Sequence, residues 1–258
     1  MVVADLHVHT TRSDGSLAPE RVANAARRAG LEAVAITDHD RLPPDEVALT
    51  DQDGVTVIGG IELRVTTDEE PLDLLGYGID PTPAIRAEID RLQRDRIERA
   101  RTIVSRVEDH IDVDLDISFG PGVGRPHVAR AIARSPASYG YDEAFEHLIG
   151  DDGPCYVARD ITSYERGREL LAEACDLVSL AHPLRYDDPG AALSRVAELD
   201  AVELAYPYGR AVDLAPVEAA IGDNDLLATG GSDAHGQDVG IAGLDQPAYG
   251  RVRDRLTG

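Results

Sequence analysis

Near its start the chain places two histidines two positions apart: "ADLHVHT" carries His7 and His9, and Asp14 follows in "TRSDGS". Side chains alternate across a β-strand, so His7 and His9 would share one face and could grip one ion. Alone, the pair is equally a packing feature. Further on, Asp38 and His39 occur in "AITDHD", Glu62 in "IGGIEL", Asp73 in "PLDLLGYG", His182 in "SLAHP", and Asp233 with His235 in "TGGSDAH". Taken singly, "TDHD" reads as a helix cap, "AHP" as a strand-to-loop junction and "SDAH" as a capped turn. Together they place five of the eight histidines (His7, His9, His39, His182, His235) at the ends of expected strands. Packing does not account for that concentration; a multinuclear metal site does. Mixed imidazole and carboxylate ligands suit Zn, Mn or Fe, and closely spaced ions activate water and clamp a phosphate. His110 and His147 have no carboxylate partners in the pattern and are expected at the surface.

Positioning such residues needs a scaffold of strands. Short apolar runs predict them at Val2–His9, Ala33–Thr37, Val55–Ile61, Leu72–Tyr77, Leu177–Ala181, Ala201–Ala205 and Leu226–Thr229. Helical patterns fall between many of them: Pro19–Ala29, Tyr164–Cys175, Ala191–Leu199 and Val212–Ile221. Alternation of this kind predicts parallel pairing and an α/β fold, closed or nearly closed into a barrel. In β/α barrels active sites sit at the C-terminal strand ends, where these residues fall. The alternation breaks over 81–163, where Ala84–Glu108 is a long Arg/Glu-rich helical pattern. The expected organisation is a barrel formed by 1–80 and 164–258, interrupted by a mostly helical insertion at 81–163. "GPGVGRP" within it is glycine-rich but does not follow a buried strand, so it reads as a loop opening a helix at Pro126.

Composition narrows the partners. The 258 residues include 48 acidic and 25 basic ones, for a net charge of −23, and every basic residue is an arginine. A lysine-free surface this acidic matches a salt-adapted protein, kept hydrated by dense carboxylates. It argues against a duplex-DNA-binding face, which needs a basic stripe, while leaving room for a small anionic substrate where metal ions or a few arginines set the local potential. No stretch reaches the apolar length of a membrane span. The first residues lack the basic and apolar runs of a signal peptide, so a cytoplasmic location is expected. Cys155 and Cys175 lie far apart and suggest neither disulfide framework nor zinc ribbon.

"DLHVHTTRSDGS", "AITDHD", "GIEL", "LLGYGID", "GRPHVARAI", "AHP" and "TGGSDAHG" closely resemble, in order and over nearly the whole chain, the PHP family, named for polymerase and histidinol phosphatase. The insertion is similar to that of the branch acting on nucleoside 3′,5′-bisphosphates and short RNA 5′ ends. The resemblance implies a distorted (β/α)7 TIM-like barrel and a metal-dependent phosphoesterase using two or three divalent ions (Mn, Zn or Fe). By position it implies one metal held by His7, His9, Glu62 and Asp233, a second sharing Glu62 and using His182, and a third using Asp14, His39 and His235. Glu62, His182, Asp233 and His235 would carry the catalysis. Where the branch has a histidine for the second metal this chain has Asp73, a harder ligand that would favour Mn over Zn or leave that site weak.

In "GRPHVAR", Arg125, His127 and Arg130 are expected to hold a phosphate that is not cleaved, since a guanidinium matches phosphate oxygens. Arg12 and Arg210 are expected to approach the mouth from their loops, and Asp38 to orient an imidazole. The expected substrate is a nucleotide or short RNA. The alternatives are a histidinol-phosphate-type phosphatase, against which a second phosphate clamp argues, and a non-catalytic metal-binding module.

Overall fold

The computed structural model describes residues 1–44 and 47–257. The chain divides into two compact units, Met1–Ile89 with Ile161–Gly258, and Asp90–Asp160. Among the described residues the first holds nine strands: β1 (Ala4–Val8), β2 (Ala33–Ile36), β3 (Leu49–Gln52), β4 (Val55–Thr66), β5 (Leu72–Tyr77), β6 (Thr162–Ser163), β7 (Leu177–Leu180), β8 (Ala201–Ala205) and β9 (Leu227–Gly230). Seven of them follow one path, β1-β2-β4-β5-β7-β8-β9, with β3 and β6 attached to β4. The path curls: Val8 forms a parallel bridge with Ala234 just beyond β9, and the His9 amide donates to the Ala234 carbonyl at 3.0 Å.

The pairing is mixed rather than uniformly parallel. β1, β2 and β4 run parallel, as do β7, β8 and β9, but β5 is antiparallel to both β4 and β7. The cause is local. The link 67–71 is too short for a crossover helix, which parallel strands require. It closes as a turn in which the Thr67 hydroxyl donates to the Glu70 carbonyl at 2.7 Å and accepts the Glu69 and Glu70 amides at 3.2 Å. This reversal matters for the site. With β5 inverted, its first residues lie at the same rim as the C-terminal ends of its neighbours, so Asp73 faces Arg64 in register.

Two further expectations change. β4 does not end at Ile61 but runs through Glu62 to Thr66, so Glu62 is fixed inside a strand. The helix expected at Ala191–Leu199 is two short pieces, Pro189–Leu193 and a 3-10 turn Val196–Glu198. Its start is set by Pro189 and by Asp188, whose carboxylate accepts the Ala191 amide at 3.0 Å.

The core of this unit is apolar from strand to strand. Leu6, Ala35, Ile58, Leu75, Tyr77, Leu177 and Ala201 meet Tyr249, Val252 and Leu256 of the helix Gln246–Leu256. A second layer joins Val8, Val34 and Val57 to Val22 and Ala26 of the helix Val22–Ala29. In the second unit, helix Arg125–Arg134 and the turn Tyr141–Ile149 pack Val128, Ile132, Leu148 and Ile149 against Ile103, Val104 and Val107 of the long helix Pro83–Ile111. His110 and His147 are exposed. Among the described residues no helix is long and apolar enough to cross a membrane.

Close approach at one glycine ties the sheet to the metal-capable residues. A Cβ on Gly231 would overlap the backbone nitrogen and Cβ of His7, whereas one on Gly250, inside the helix Gln246–Leu256, meets nothing within 4 Å. Gly231→Ala should therefore cost about 1–3 kcal/mol in denaturant unfolding. Gly250→Ala should be stabilising by about 0.4–1 kcal/mol. Equal midpoints for the two variants would contradict this packing.

Candidate metal centre

His7 lies in β1 and His9 directly after it. Both are fully buried, which for an imidazole demands partners. The third histidine follows β2, and Glu62 reaches it from β4: His39 Nδ1 is 2.8 Å from Glu62 Oε2. Past β7 the chain turns sharply, with His182 at φ 30°; past β9 Asp233 sits at φ 50°. Left-handed backbone at non-glycine residues costs of order 1–3 kcal/mol and persists only where surroundings impose it. Here it falls on two residues of one cluster.

Glu62 is the centre of that cluster. Its Oε1 lies 3.1 Å from His182 Nε2 and 3.4 Å from His7 Nε2, and its Oε2 lies 3.3 Å from His9 Nε2. Asp233 Oδ1 closes the set at 3.1 Å from His9 Nε2 and 3.5 Å from His7 Nε2. On the outer side, His235 Nε2 is 3.3 Å from Asp14 Oδ1, and His39 Nε2 is 3.9 Å from Asp14 Oδ2. Three groups have ligand atoms close enough for one ion each: His7, His9 and Asp233; His9, Asp14, His39 and His235; and Glu62, Asp73 and His182.

These residues fit divalent ions. Donor atoms about 2.1 Å from a common ion are roughly 3.0–3.4 Å from one another, and five of the separations here fall in that range. His7 Nε2, both His9 nitrogens, Glu62 Oε2, Asp14 Oδ1 and His182 Nδ1 are buried without a hydrogen-bond partner of good geometry among the described residues. Buried polar atoms rarely stay so, and several converging on one point fit metal ligation.

The electrostatics agree. Burial raises the Glu62 carboxyl pKa, but His39 and His7 outweigh it and hold the group well below the usual range. Asp14 and Asp233 are likewise depressed against burial, Asp14 chiefly by His235 and Asp233 chiefly by His9. In return Glu62 and Asp14 lift His39 to about 9 against the opposing effect of burial, and Glu203 and Glu62 raise His7. The carboxylates are thus kept ionised by drawing protons onto imidazoles, a role a divalent cation fills.

Residues 5–82 match the family model described as the PHP domain. Over those residues the chain is similar to PHP domains. A 3′,5′-nucleoside bisphosphate phosphatase of Chromobacterium violaceum is 27% identical over 264 residues, 93% of this chain and 91% of that one. The 5′-3′ exoribonuclease Rnm of Salmonella typhimurium is 27% identical over 238 residues, 88% of this chain and 80% of its own. A solved structure from Bifidobacterium adolescentis has the same fold, with a TM-score of 0.81 at 23% identity over 98% of this chain and 96% of the other. The PHP-domain segment contains His7 through Asp73; His182, Asp233 and His235 lie beyond it and return to the same rim through β7 and β9.

One expectation needs correction. Asp38 does not orient an imidazole. Its carboxylate accepts the Thr10 amide at 2.7 Å and the Thr10 and Ser13 hydroxyls at 2.6 Å, which shapes the loop carrying Asp14. Arg12 and Arg210 donate to the carbonyls of Leu42 and Leu184 and tether their own loops. Arg125, His127 and Arg130 belong to the second unit, where Arg125 donates to Asp151 at 2.6 Å and His127 Nδ1 accepts the Gly124 amide at 3.3 Å. Arg130 lies over the Tyr141 ring.

Sequence reasoning missed Glu203. It is fully buried in β8, with Oε1 3.1 Å from His7 Nδ1, and its Oε2 accepts the His182 amide at 2.7 Å. It fixes the His7 ring so that Nε2 faces Glu62, the carboxylate–histidine arrangement that tunes metal ligands. A lone acid in the apolar run "AVELA" was its only signal. Asp5 was missed for the same reason. It accepts the Ser232 amide and hydroxyl at 2.8 and 2.6 Å and the Gly240 amide at 2.7 Å, holding the Asp233 segment beside β1.

Metal binding should release protons, because His39 is protonated below about 9 and a ligating imidazole must be neutral. Apparent affinity should therefore rise with pH towards that value. Calorimetry in buffers of different ionisation enthalpy reads the release directly; buffer-independent heats would contradict it. Glu203→Gln should lower metal affinity by about 10–100-fold while the chain stays folded, as read by chelator competition. Wild-type affinity would show that Glu203 has no part in orienting His7.

Proposed function

We propose that the protein is a metal-dependent phosphoesterase that hydrolyses a phosphomonoester of a nucleotide of the 3′,5′-bisphosphate type, and short RNA 5′ ends. The observation that carries this reading is the four-imidazole environment of the buried Glu62, set at the floor of a cavity of about 430 Å³ that also exposes Asp73, His182, Asp233 and His235. The PHP-domain match and the activities named for the two relatives point to the same reaction class.

In this reading His7, His9, Glu62 and Asp233 hold one ion, and Asp14, His39 and His235 another. Glu62 and His182, with Asp73 at their edge, form the third group. Such ions, Mn, Zn or Fe, supply a water of lowered pKa and positive charge opposite the phosphoryl oxygens. The chain does the rest. Glu62 ties the groups together through its two oxygens. Asp233 presents Oδ1 to the cluster while its Oδ2 accepts from Arg185 at 3.1 Å and Tyr206 at 2.7 Å, which fixes the carboxylate in place to hold an ion.

Within the inserted unit, Arg125, His127 and Arg130 are the candidates to hold a phosphate that is not cleaved. Arg99 there is lowered to about 10 by burial and by the neighbouring Arg125, Arg159 and Arg96. Arginines crowded together in a chain of net charge −23 favour an anionic ligand. That arrangement favours a bisphosphate over histidinol phosphate. The seven-strand path supports a distorted (β/α)7 barrel, and the lysine-free acidic composition supports the cytoplasm of a salt-adapted cell.

Glu62→Ala and His182→Ala should each abolish phosphate release from a nucleoside 3′,5′-bisphosphate while circular dichroism shows a folded chain. Normal metal-dependent turnover by Glu62→Ala would overturn the site. Faster turnover of histidinol phosphate than of the bisphosphate would overturn the substrate class.

A further inference from the structure

Two arginines line the cavity, and each is docked on a carboxylate in a different way. Arg185 donates to Asp233 Oδ2 alone, which leaves Oδ1 facing His7, His9 and His235. Arg64 takes both oxygens of Asp73: its NH1 lies 3.2 Å from Oδ1 and 2.9 Å from Oδ2. Arg64 and Asp73 are direct register partners across β4 and β5, so the backbone itself sets the pair. Asp73 is 4% exposed and its amide donates to the Tyr186 hydroxyl at 2.9 Å, which fixes the carboxylate from behind. Its closest approach to the cluster is 3.9 Å, from Oδ2 to His182 Nε2, against 3.1 Å for Glu62.

Asp73 is therefore already neutralised, and it is the outlying member of its group. Arg64 alternates with Glu62 along β4, so both side chains emerge on the same face of the strand. Its side chain is 39% exposed and lines the cavity beside Glu62, His182 and Arg185. With NH1 on Asp73, its Nε and its second terminal nitrogen make no hydrogen bond among the described residues, and a guanidinium presents such donors in a planar fork suited to phosphate.

We propose that Asp73 serves Arg64 rather than a metal ion, and that Arg64 is a substrate-binding residue that holds an oxygen of the phosphoryl group at the metal cluster. This rests on the phosphoesterase reading and gives it a fixed organic cation at the scissile phosphate. Asp73 orients the guanidinium as a positioning residue.

The test uses metal-loaded full-length protein and inorganic phosphate as the probe, with phosphate affinity from calorimetry and metal content from elemental analysis. Arg64→Gln should keep the wild-type number of ions per chain and weaken phosphate binding about tenfold or more, the loss of one charge-assisted contact. Asp73→Asn should also keep every ion. Loss of an ion in Asp73→Asn, or wild-type phosphate affinity in Arg64→Gln, would overturn the proposal, as would a wild-type protein that binds no phosphate. Should Arg64→Gln leave Asp73 too poorly compensated to fold, Arg64→Lys keeps the charge and removes the fork. It should then show weakened phosphate binding at unchanged metal content, and unchanged binding would overturn the proposal. Absence of phosphoester turnover by a wild-type chain whose phosphate affinity depends on Arg64 would instead remove the functional reading and leave the role of Arg64 standing.

Discussion

Glu62 is a fully buried carboxylate with four imidazoles around its two oxygens, and the rest of the site is arranged to make that burial tolerable. An isolated carboxylate in such a place would cost several kcal/mol. The charge has to be answered, and the answer comes from every direction of the sheet: His7 and His9 from β1, His39 from the end of β2, His182 from the end of β7. Because β4 extends through Glu62 and pairs on both sides, the carboxylate cannot swing away to solvent. The constraint turns the curl of the sheet into a requirement, since only a curled path brings β1, β7 and β9 to the same point.

A ring of buried polar residues that touch no substrate maintains that convergence. Asp5 pins the segment before Asp233, Glu203 sets the ring of His7 and the amide of His182, and Asp38 shapes the loop that offers Asp14. Burial raises the Asp5 carboxyl despite the hydrogen bonds it accepts from Ser232, Gly240 and His7, a sign of how deep this support lies. Gly231 lets the segment after β9 approach His7 closely enough for the bridge between Val8 and Ala234 to form. Precision at the cluster is therefore a property of strands and their buried braces more than of the loops that rim it.

Much of this was legible in the sequence because metal ligands are rare residue types in distinctive company. His7 and His9 at spacing two, Asp233 and His235 in one short motif, and apolar runs before each of them announce strand ends carrying chemistry. The seven runs expected as strands are the seven on the sheet path. What stayed hidden depends on pairing. The inverted β5 follows from a short link whose turn is made by one threonine hydroxyl, and no periodicity distinguishes an antiparallel strand from a parallel one when both are buried on two faces. Asp5 and Glu203 were invisible as braces because a single acid in an apolar strand says nothing of its partner 227 or 21 positions away. Arg64 carries no signal of its own in the sequence, and only its register with Asp73 gives it a role.

Elemental analysis of the wild-type protein purified without chelator bears most directly on the central claim, that the Glu62 cluster exists to hold divalent cations. The account predicts at least two tightly held ions per chain that survive gel filtration. A folded protein that retains less than one would contradict it, and would leave the buried carboxylate balanced by imidazolium protons alone.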